Sequence, residues 1–316
     1  MKQLLGLLLL LAGAGSCLAQ KPYVETPYRQ DSFNIKRARA VVALETGIAV
    51  GASTGLYFLW YSGYQQSRFH WLNDNYGWLQ IDKFGHTATN YHINAFCYNM
   101  NRWAGFDQKK AMLIGSSVAI GFQTAVEYFD GLSEAWGASA GDLAANVLGA
   151  GTFIAQEFAW EEQRIIWKFS FKNGDYSMYD QHVKDRAQHL FGSAVYESFL
   201  KDYNGQTYWL SVNPRSFSKG MEWMPEWLNV AVGYSGEGML GANWNIWYEN
   251  DLCYHNYEHI PRYRQYYLSL DIDWERVPTR SKLLKAAAPF LNIIKVPFPA
   301  IEYSSEHGFR GRAFYF

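Results

Sequence analysis

At Trp160 the chain changes its hydrophobic rhythm, and no single type of secondary structure accommodates both halves. Before that point it carries long apolar runs thick with small residues. These are Ala38 to Tyr61 (ARAVVALETGIAVGASTGLYFLWY), Ala111 to Val126 (AMLIGSSVAIGFQTAV) and Leu143 to Ala155 (LAANVLGAGTFIA). Runs of that length read as helices, and glycine, alanine and serine let helix backbones approach closely. After Trp160 the stretches are short and alternate, with Gly, Asn and Asp between them. Ile165 to Phe171 (IIWKFSF), Tyr208 to Val212, Trp227 to Tyr234 (WLNVAVGY), Tyr266 to Trp274 (YYLSLDIDW) and Phe309 to Phe316 all do so. A period of two marks strands with one apolar face. The expected class is therefore α+β, a membrane-associated bundle of about four helices followed by a strand-rich region.

The first run is long enough to cross hydrocarbon at about 1.5 Å per residue. It is interrupted by Glu45 and ends in an aromatic cluster, Tyr57 to Tyr61, of the kind that sits at a membrane interface. Further helices are expected from Asp82 to about Trp103, Lys109 to Phe129 and Ala140 to about Trp160. An amphipathic helix is expected over Lys282 to Ile294, ended by Pro297. The leading residues read as a secretory signal. Lys2 supplies the positive end, Leu4 to Leu11 is too short an apolar core to span, and small residues follow to Ala19. Cleavage after Ala19 is favoured over lipid attachment at Cys17, because no large apolar residue stands three places before that cysteine. The expected organisation is a signal at 1–19, an extended lead-in at 20–37, a helical domain at 38–160 and a strand-rich region at 161–316. Both readings of the leader export the chain to the cell envelope. The aromatic C-terminal strand points to the outer membrane or its periplasmic face, with the inner membrane as the alternative.

Composition removes several function classes. A net charge of −1 offers no basic field for nucleic acid. Beyond Cys17 only Cys97 and Cys253 remain, which allow one bridge at most and no disulfide framework. Aromatic residues make up 18% of the chain, a density that suits membrane interfaces, strand faces and carbohydrate stacking. No P-loop, dinucleotide fingerprint or Gly-x-Ser-x-Gly elbow occurs in the right context. His255, Glu258 and His259 superficially resemble a zinc helix, but Pro261 and the surrounding tyrosines argue for a metal-free loop. The glycine-rich stretch Gly233 to Gly241 is expected to be a turn or bulge.

The polar residues inside the apolar half carry the candidate chemistry. Asp82 and Lys83 are followed by His86, and Asp82 and His86, four apart, share one helix face. Tyr91 comes further along. Glu127 and Asp130 close the third helix. Asp142 and Asn146 open the fourth, with Ser139 as its cap and Asp142 expected to complete the reciprocal capping pair. Ionisable groups in such apolar surroundings need partners. Convergence of Asp82, Lys83, His86, Glu127, Asp130, Asp142 and Asn146 is therefore expected. It would serve a divalent metal at His86, Glu127, Asp130 and Asp142, an acid/base pair, a pocket for a polar head group, or a purely structural network.

In the order Asp82-Lys83-x-x-His86, Glu127-x-x-Asp130, Ser139-x-x-Asp142-x-x-x-Asn146-x-x-Gly149, these motifs resemble the YfiM-like family of predicted periplasmic lipoproteins, over roughly residues 38–160. That family is distantly similar to VanZ-like membrane proteins. The resemblance implies a location and supplies no catalytic role. Two functions are carried forward: a non-enzymatic envelope protein in assembly or binding, and a membrane-interface hydrolase acting on a lipid or glycan. Membrane lipid is the expected partner, with an envelope protein or glycan beside it.

Overall fold

The computed structural model describes residues 32–249 and 253–315. The expected signal at 1–19, Cys17 and most of the lead-in lie outside these residues. The lead-in ends earlier than expected, because the Asn34 side chain accepts the N–H groups of Lys36 (3.0 Å) and Arg37 (3.2 Å) and caps a helix there. That helix, α1 (Ile35–Leu56), runs on through a π-helical turn at Tyr57–Tyr61. Together they form the one helix, among the described residues, long and apolar enough to cross a bilayer. Only its two ends are packed, Ala38 and Val41 against Met100, Trp103 and Ala104, and Tyr61 against Phe129 and Trp136. Asn101 donates to Glu45 at 3.3 Å, while Val42, Val50 and Phe58 stand exposed.

Three further helices pack closely on one another: α2 (Ile81–Trp103), α3 (Gln108–Gly131) and α4 (Ala140–Trp160), with α1 resting on α2. Their small residues are what permits this, as the sequence leads one to expect. Gly149 lets α4 rest on the Thr87 carbonyl of α2, where any Cβ would collide. Asp107 caps α3 by accepting the Lys110 N–H at 2.9 Å, and Ser139 caps α4 through the Asp142 N–H at 3.1 Å.

The strand half forms an antiparallel sheet of β1 (Ile165–Phe171), β2 (Gln206–Val212), β3 (Leu228–Glu237), β6 (Tyr263–Ile272), β7 (Phe298–Ser304) and β8 (Gly308–Tyr315), paired in that order. β4 (Ile246–Glu249) and β5 (Cys253–Asn256) make a separate hairpin. His255 thus lies on a strand rather than in the expected loop, its ring stacked on Trp247 at 5.2 Å. Gly233 and Gly236 belong to β3 and not to a turn. Gly233 is required because the Trp209 ring lies where a Cβ would be. Two short helices, α5 (Gln181–Phe191) and α6 (Val195–Lys201), join β1 to β2, and α7 (Lys282–Leu291) stops short of the expected Ile294. The stretch after α7 then pairs with β1: Phe169 donates to the Ile293 carbonyl (2.8 Å) and Lys295 to the Phe169 carbonyl (2.9 Å). The same stretch leads into β7, so it draws the two sides of the curved sheet towards each other. Cys97 is a buried free thiol on α2.

The two halves share a core. Ile81, Ala88, Tyr91 and Tyr98 of α2 pack with Ile166 and Trp167 of β1 and Tyr208 of β2. Burying these large side chains contributes roughly 1.5–3 kcal/mol each. The inner face of the sheet is different, with buried polar and charged groups set around a small cluster of Trp209, Ala231, Tyr267 and Ala300. Lys168 and Asp271 form an ion pair of 2.8 Å with neither side chain exposed, and Ser211 donates to Asp271 at 2.6 Å. Trp209 donates to Ser170 at 2.8 Å, and Arg312 reaches the buried Glu302 at 2.6 Å.

Candidate functional site

The site lies where the ends of three helices meet. α2 enters it through an unusual turn, with Trp78, Leu79 and Gln80 all at positive φ (50°, 51° and 66°). Left-handed backbone costs an L-residue about 1–2 kcal/mol, so the turn persists only because its surroundings fix it. Trp78 donates to the Ala242 carbonyl at 2.7 Å, Tyr234 donates to the Leu79 carbonyl, and Arg264 donates to Gln80 at 2.8 Å. The strand half thus clamps the turn and fixes where the first turn of α2, with Asp82, begins.

From there the expected residues converge. On α2, Asp82 accepts the Tyr203 hydroxyl at 2.8 Å, and its carboxylate is 3.9 Å from His86 Nε2. At the end of α3, Glu127 Oε1 lies 3.6 Å from the same nitrogen. At the start of α4, Asn146 Oδ1 lies 3.2 Å from His86 Nδ1. Lys83 donates to Asp142 at 3.1 Å and to Asp74 at 2.9 Å. Gly141 makes room for the Lys83 stem beside the start of α4. The reciprocal capping pair is only half formed. Asp142 turns to Lys83, and Glu127 from α3 accepts the Ser139 N–H in its place at 2.9 Å. Asp130 sits to one side, accepting the Tyr61 hydroxyl at 2.8 Å. Tyr91 lies apart, donating to Gln163 at 3.1 Å in the shared core.

Three partners escaped the sequence reading. Asp74 comes from a connection with no regular element, while Tyr61 and Tyr203 are separated from their carboxylates by 69 and 121 positions. Only the abundance of tyrosine hinted at them.

Electrostatics make the cluster unusual. Five carboxylates (Asp74, Asp82, Glu127, Asp130, Asp142) gather around one permanent cation, Lys83, and one histidine. Burial, reinforced by the Asp82 charge, pushes Asp142 up to about 8 despite Lys83 and His86. Burial likewise pushes Asp130 up to about 7, and raises Glu127 above the usual carboxylate range. Burial opposes a charge on His86, but Asp82, Asp142 and Glu127 outweigh it and hold the imidazolium above its ordinary range. Burial also opposes the Lys83 charge, and its two carboxylate partners more than compensate.

The hydrogen-bond inventory is incomplete at two points. Glu127 Oε1 and Asn146 Nδ2 are buried with no hydrogen-bond partner among the described residues. Both ring nitrogens of His86 face oxygen atoms, which suits an imidazolium, or a neutral ring whose Nε2 lone pair meets a cation. Ligand atoms of Asp82, His86 and Asp142 all lie within 4.8 Å of one another, a spacing that can hold one metal ion. Among the metal ligands expected from sequence, His86 and Asp142 belong to this set. Asp82 joins them, Glu127 stands beside His86, and Asp130 is engaged by Tyr61. The cluster is not sealed, since the Asp82 side chain retains 23% exposure against 5% for Asp142.

Compared with known proteins, residues 70–156 match the family described as "Predicted periplasmic lipoprotein (DUF2279)". The matched stretch carries Asp74 and every site residue from Asp82 to Asn146. It agrees with the YfiM-like resemblance and with a location in the cell envelope, and supplies no link to VanZ-like proteins. No curated protein and no solved structure matches the chain.

Proposed function

We propose that this is a membrane-attached envelope protein whose helical body binds one divalent cation among Asp82, His86 and Asp142. Through that cation it would hold an anionic head group of an envelope lipid or glycan. The observation that carries the reading is the buried Glu127 oxygen with no hydrogen-bond partner, 3.6 Å from His86 Nε2. A buried acceptor left without a donor costs roughly 1–3 kcal/mol, more for a charged group. A cation beside it, carrying bound water, would satisfy it. One nitrogen and two carboxylate ligands suit Zn2+ or Mn2+ better than a purely oxygen-loving ion. Asn146 on Nδ1 and Tyr203 on Asp82 would orient the ligands from behind. α1 with its π-helical turn supplies the attachment, 27 residues in all and about 40 Å long at 1.5 Å per residue. Membrane lipid is thus the first partner, and an envelope protein or glycan a further one.

The test is metal analysis and calorimetric titration of the purified full chain with Zn2+, Mn2+ and Mg2+. One equivalent should bind, and Asp82→Asn and His86→Ala should lose it while keeping their circular dichroism. Failure of the wild-type chain to bind any of the three would overturn the reading. A second reading, hydrolysis of a lipid or glycan ester, is favoured by Glu127 Oε1, which no donor occupies and which would stand as a base beside the water of a bound cation. It requires that Glu127→Gln abolish turnover of envelope extracts while cation binding survives.

A further inference from the structure

The sheet is inverted relative to a water-soluble one. Along β3, β6 and β7 the inward positions are buried and mostly polar, among them Asn229, Ser235, Gln265, Ser269, Asp271 and Glu302, with Tyr267 stacked on Tyr315 beside Trp209 as the aromatic exception. The middle of the outward face is aliphatic and bare. Val232, Leu268 and Ile301, which are cross-strand neighbours, keep 53%, 49% and 54% of their surface exposed. Water would select the opposite arrangement, because the hydrophobic effect drives apolar faces inward. Polar-in and apolar-out alternation is the pattern of strands bathed in lipid.

The outer rows are also ordered along the strands. Leu228 pairs with Ile272, Val230 with Leu270, and Val232 with Leu268, which pairs in turn with Ile301. The next row is Tyr234, Tyr266, Tyr303 and Phe309, one aromatic ring on each of four strands in register. Arg264 follows on the next outer position, facing Gly236. Aliphatic, then aromatic, then charged is the succession met on passing from hydrocarbon through the interface into water. On β6 the outward aliphatic positions run from Leu268 to Ile272, about 13 Å at roughly 3.3 Å per residue, so the face dips into hydrocarbon rather than crossing it. The outer face of β1 and β2 is covered by α2 instead, so the uncovered strands continue the surface of the helical body. That body shows the same bareness at Leu113 of α3 and at Val147 and Phe158 of α4.

We propose that the outer face of β3, β6 and β7, apart from Tyr234, whose ring stacks on Phe84 of α2, lies against membrane hydrocarbon, with the Tyr266–Tyr303–Phe309 row at the water boundary. The strand half is then a membrane-contacting body in its own right, not a soluble domain hung from α1. This does not depend on the cation site.

The test places single nitroxide labels on the full chain in phosphatidylethanolamine/phosphatidylglycerol vesicles, in a Cys253→Ser background. Leu268→Cys and Ile301→Cys probe the aliphatic row, Tyr303→Cys the aromatic row, and Glu306→Cys the exposed β7–β8 turn. Oxygen, which concentrates in lipid, should collide several-fold more often than a water-soluble nickel chelate at 268 and 301. The preference should reverse at 306 and be intermediate at 303. Val232→Cys replaces either aliphatic-row variant if its circular dichroism shows it unfolded. Nickel winning at 268 and 301 would put the face in water and overturn the proposal. Exclusion of both reagents there would also overturn it, by showing a second chain on the face.

Discussion

With metal removed, this protein should become less stable as pH rises from about 5 to about 8, the reverse of what carboxylates usually cause. Aspartate in an unfolded chain titrates near 4. Asp142 at about 8 and Asp130 at about 7 still hold protons in the fold where the unfolded chain has released them. When the native state binds more protons than the unfolded state, stability falls as pH rises. His86, raised in the fold, acts in the same direction, because its contribution is present at low pH and lost as pH passes its folded value. At about 1.4 kcal/mol per unit, the window from pH 5 to 8 removes at most ~3.6 kcal/mol through Asp142 and ~2.6 kcal/mol through Asp130. Both are raised in part by the same charge, Asp82, so the sum is an upper bound. A loss of about 3 kcal/mol, or roughly 6 °C in Tm, is the working figure. The assay is thermal unfolding by tryptophan fluorescence in detergent with a chelator present. Burial also raises Glu275, to about 7, and this adds a background of the same sign. The decisive readout is therefore a difference: Asp142→Asn, which retains an acceptor for Lys83, should lose roughly half as much as wild type. Restoring the divalent cation near pH 8 should recover stability, and near pH 5, where protons compete for the ligands, it should recover little. Stability that is flat or rising across the window, or identical slopes in the two proteins, would refute the reasoning.

Lys168→Met leaves the fully buried Asp271 without its ion-pair partner and should cost about 3–5 kcal/mol by chemical denaturation. Adding Asp271→Leu should recover most of that loss. Tyr203→Phe removes the donor to Asp82, so cation affinity should fall by about 10-fold or more. Unchanged affinity would remove Asp82 from the ligand set. Gly149→Val forces a side chain onto the Thr87 carbonyl and should cost about 3 kcal/mol in thermal or chemical unfolding.

The helices and the motif cluster were legible because both rest on short-range pattern. α4 begins and ends where its cap and apolar run place it, and β1 has the bounds its alternation implies. Asp82 and His86 share a face because they are one turn apart, and glycine at 149 announces close packing. What stayed hidden is what distant segments contribute. The left-handed turn at Trp78–Gln80 has no local signal, since three large residues there would ordinarily avoid positive φ. Contacts from the strand half hold it, and they move Asp82 into reach of Tyr203. The capping partner of Ser139 is Glu127 of another helix, because Asp142 has a stronger claim on it from Lys83.

Alternation also left open which face of each strand is inside. In IIWKFSF it separates Trp167, Phe169 and Phe171 from Lys168 and Ser170, and the usual inference sends the aromatic set to the core. For β1 the aromatic side does meet a core, because α2 covers it. The lysine side is buried too, against Asp271. On β6 the same alternation leaves the apolar set bare. Period two thus fixes which residues travel together, and the solvent decides which set faces out. If the exposed apolar helix and the bare sheet face are both docked in an envelope membrane, as proposed, the second solvent is lipid. This is why the polar set can fill the inside of the sheet without a soluble protein's penalty for showing the other face.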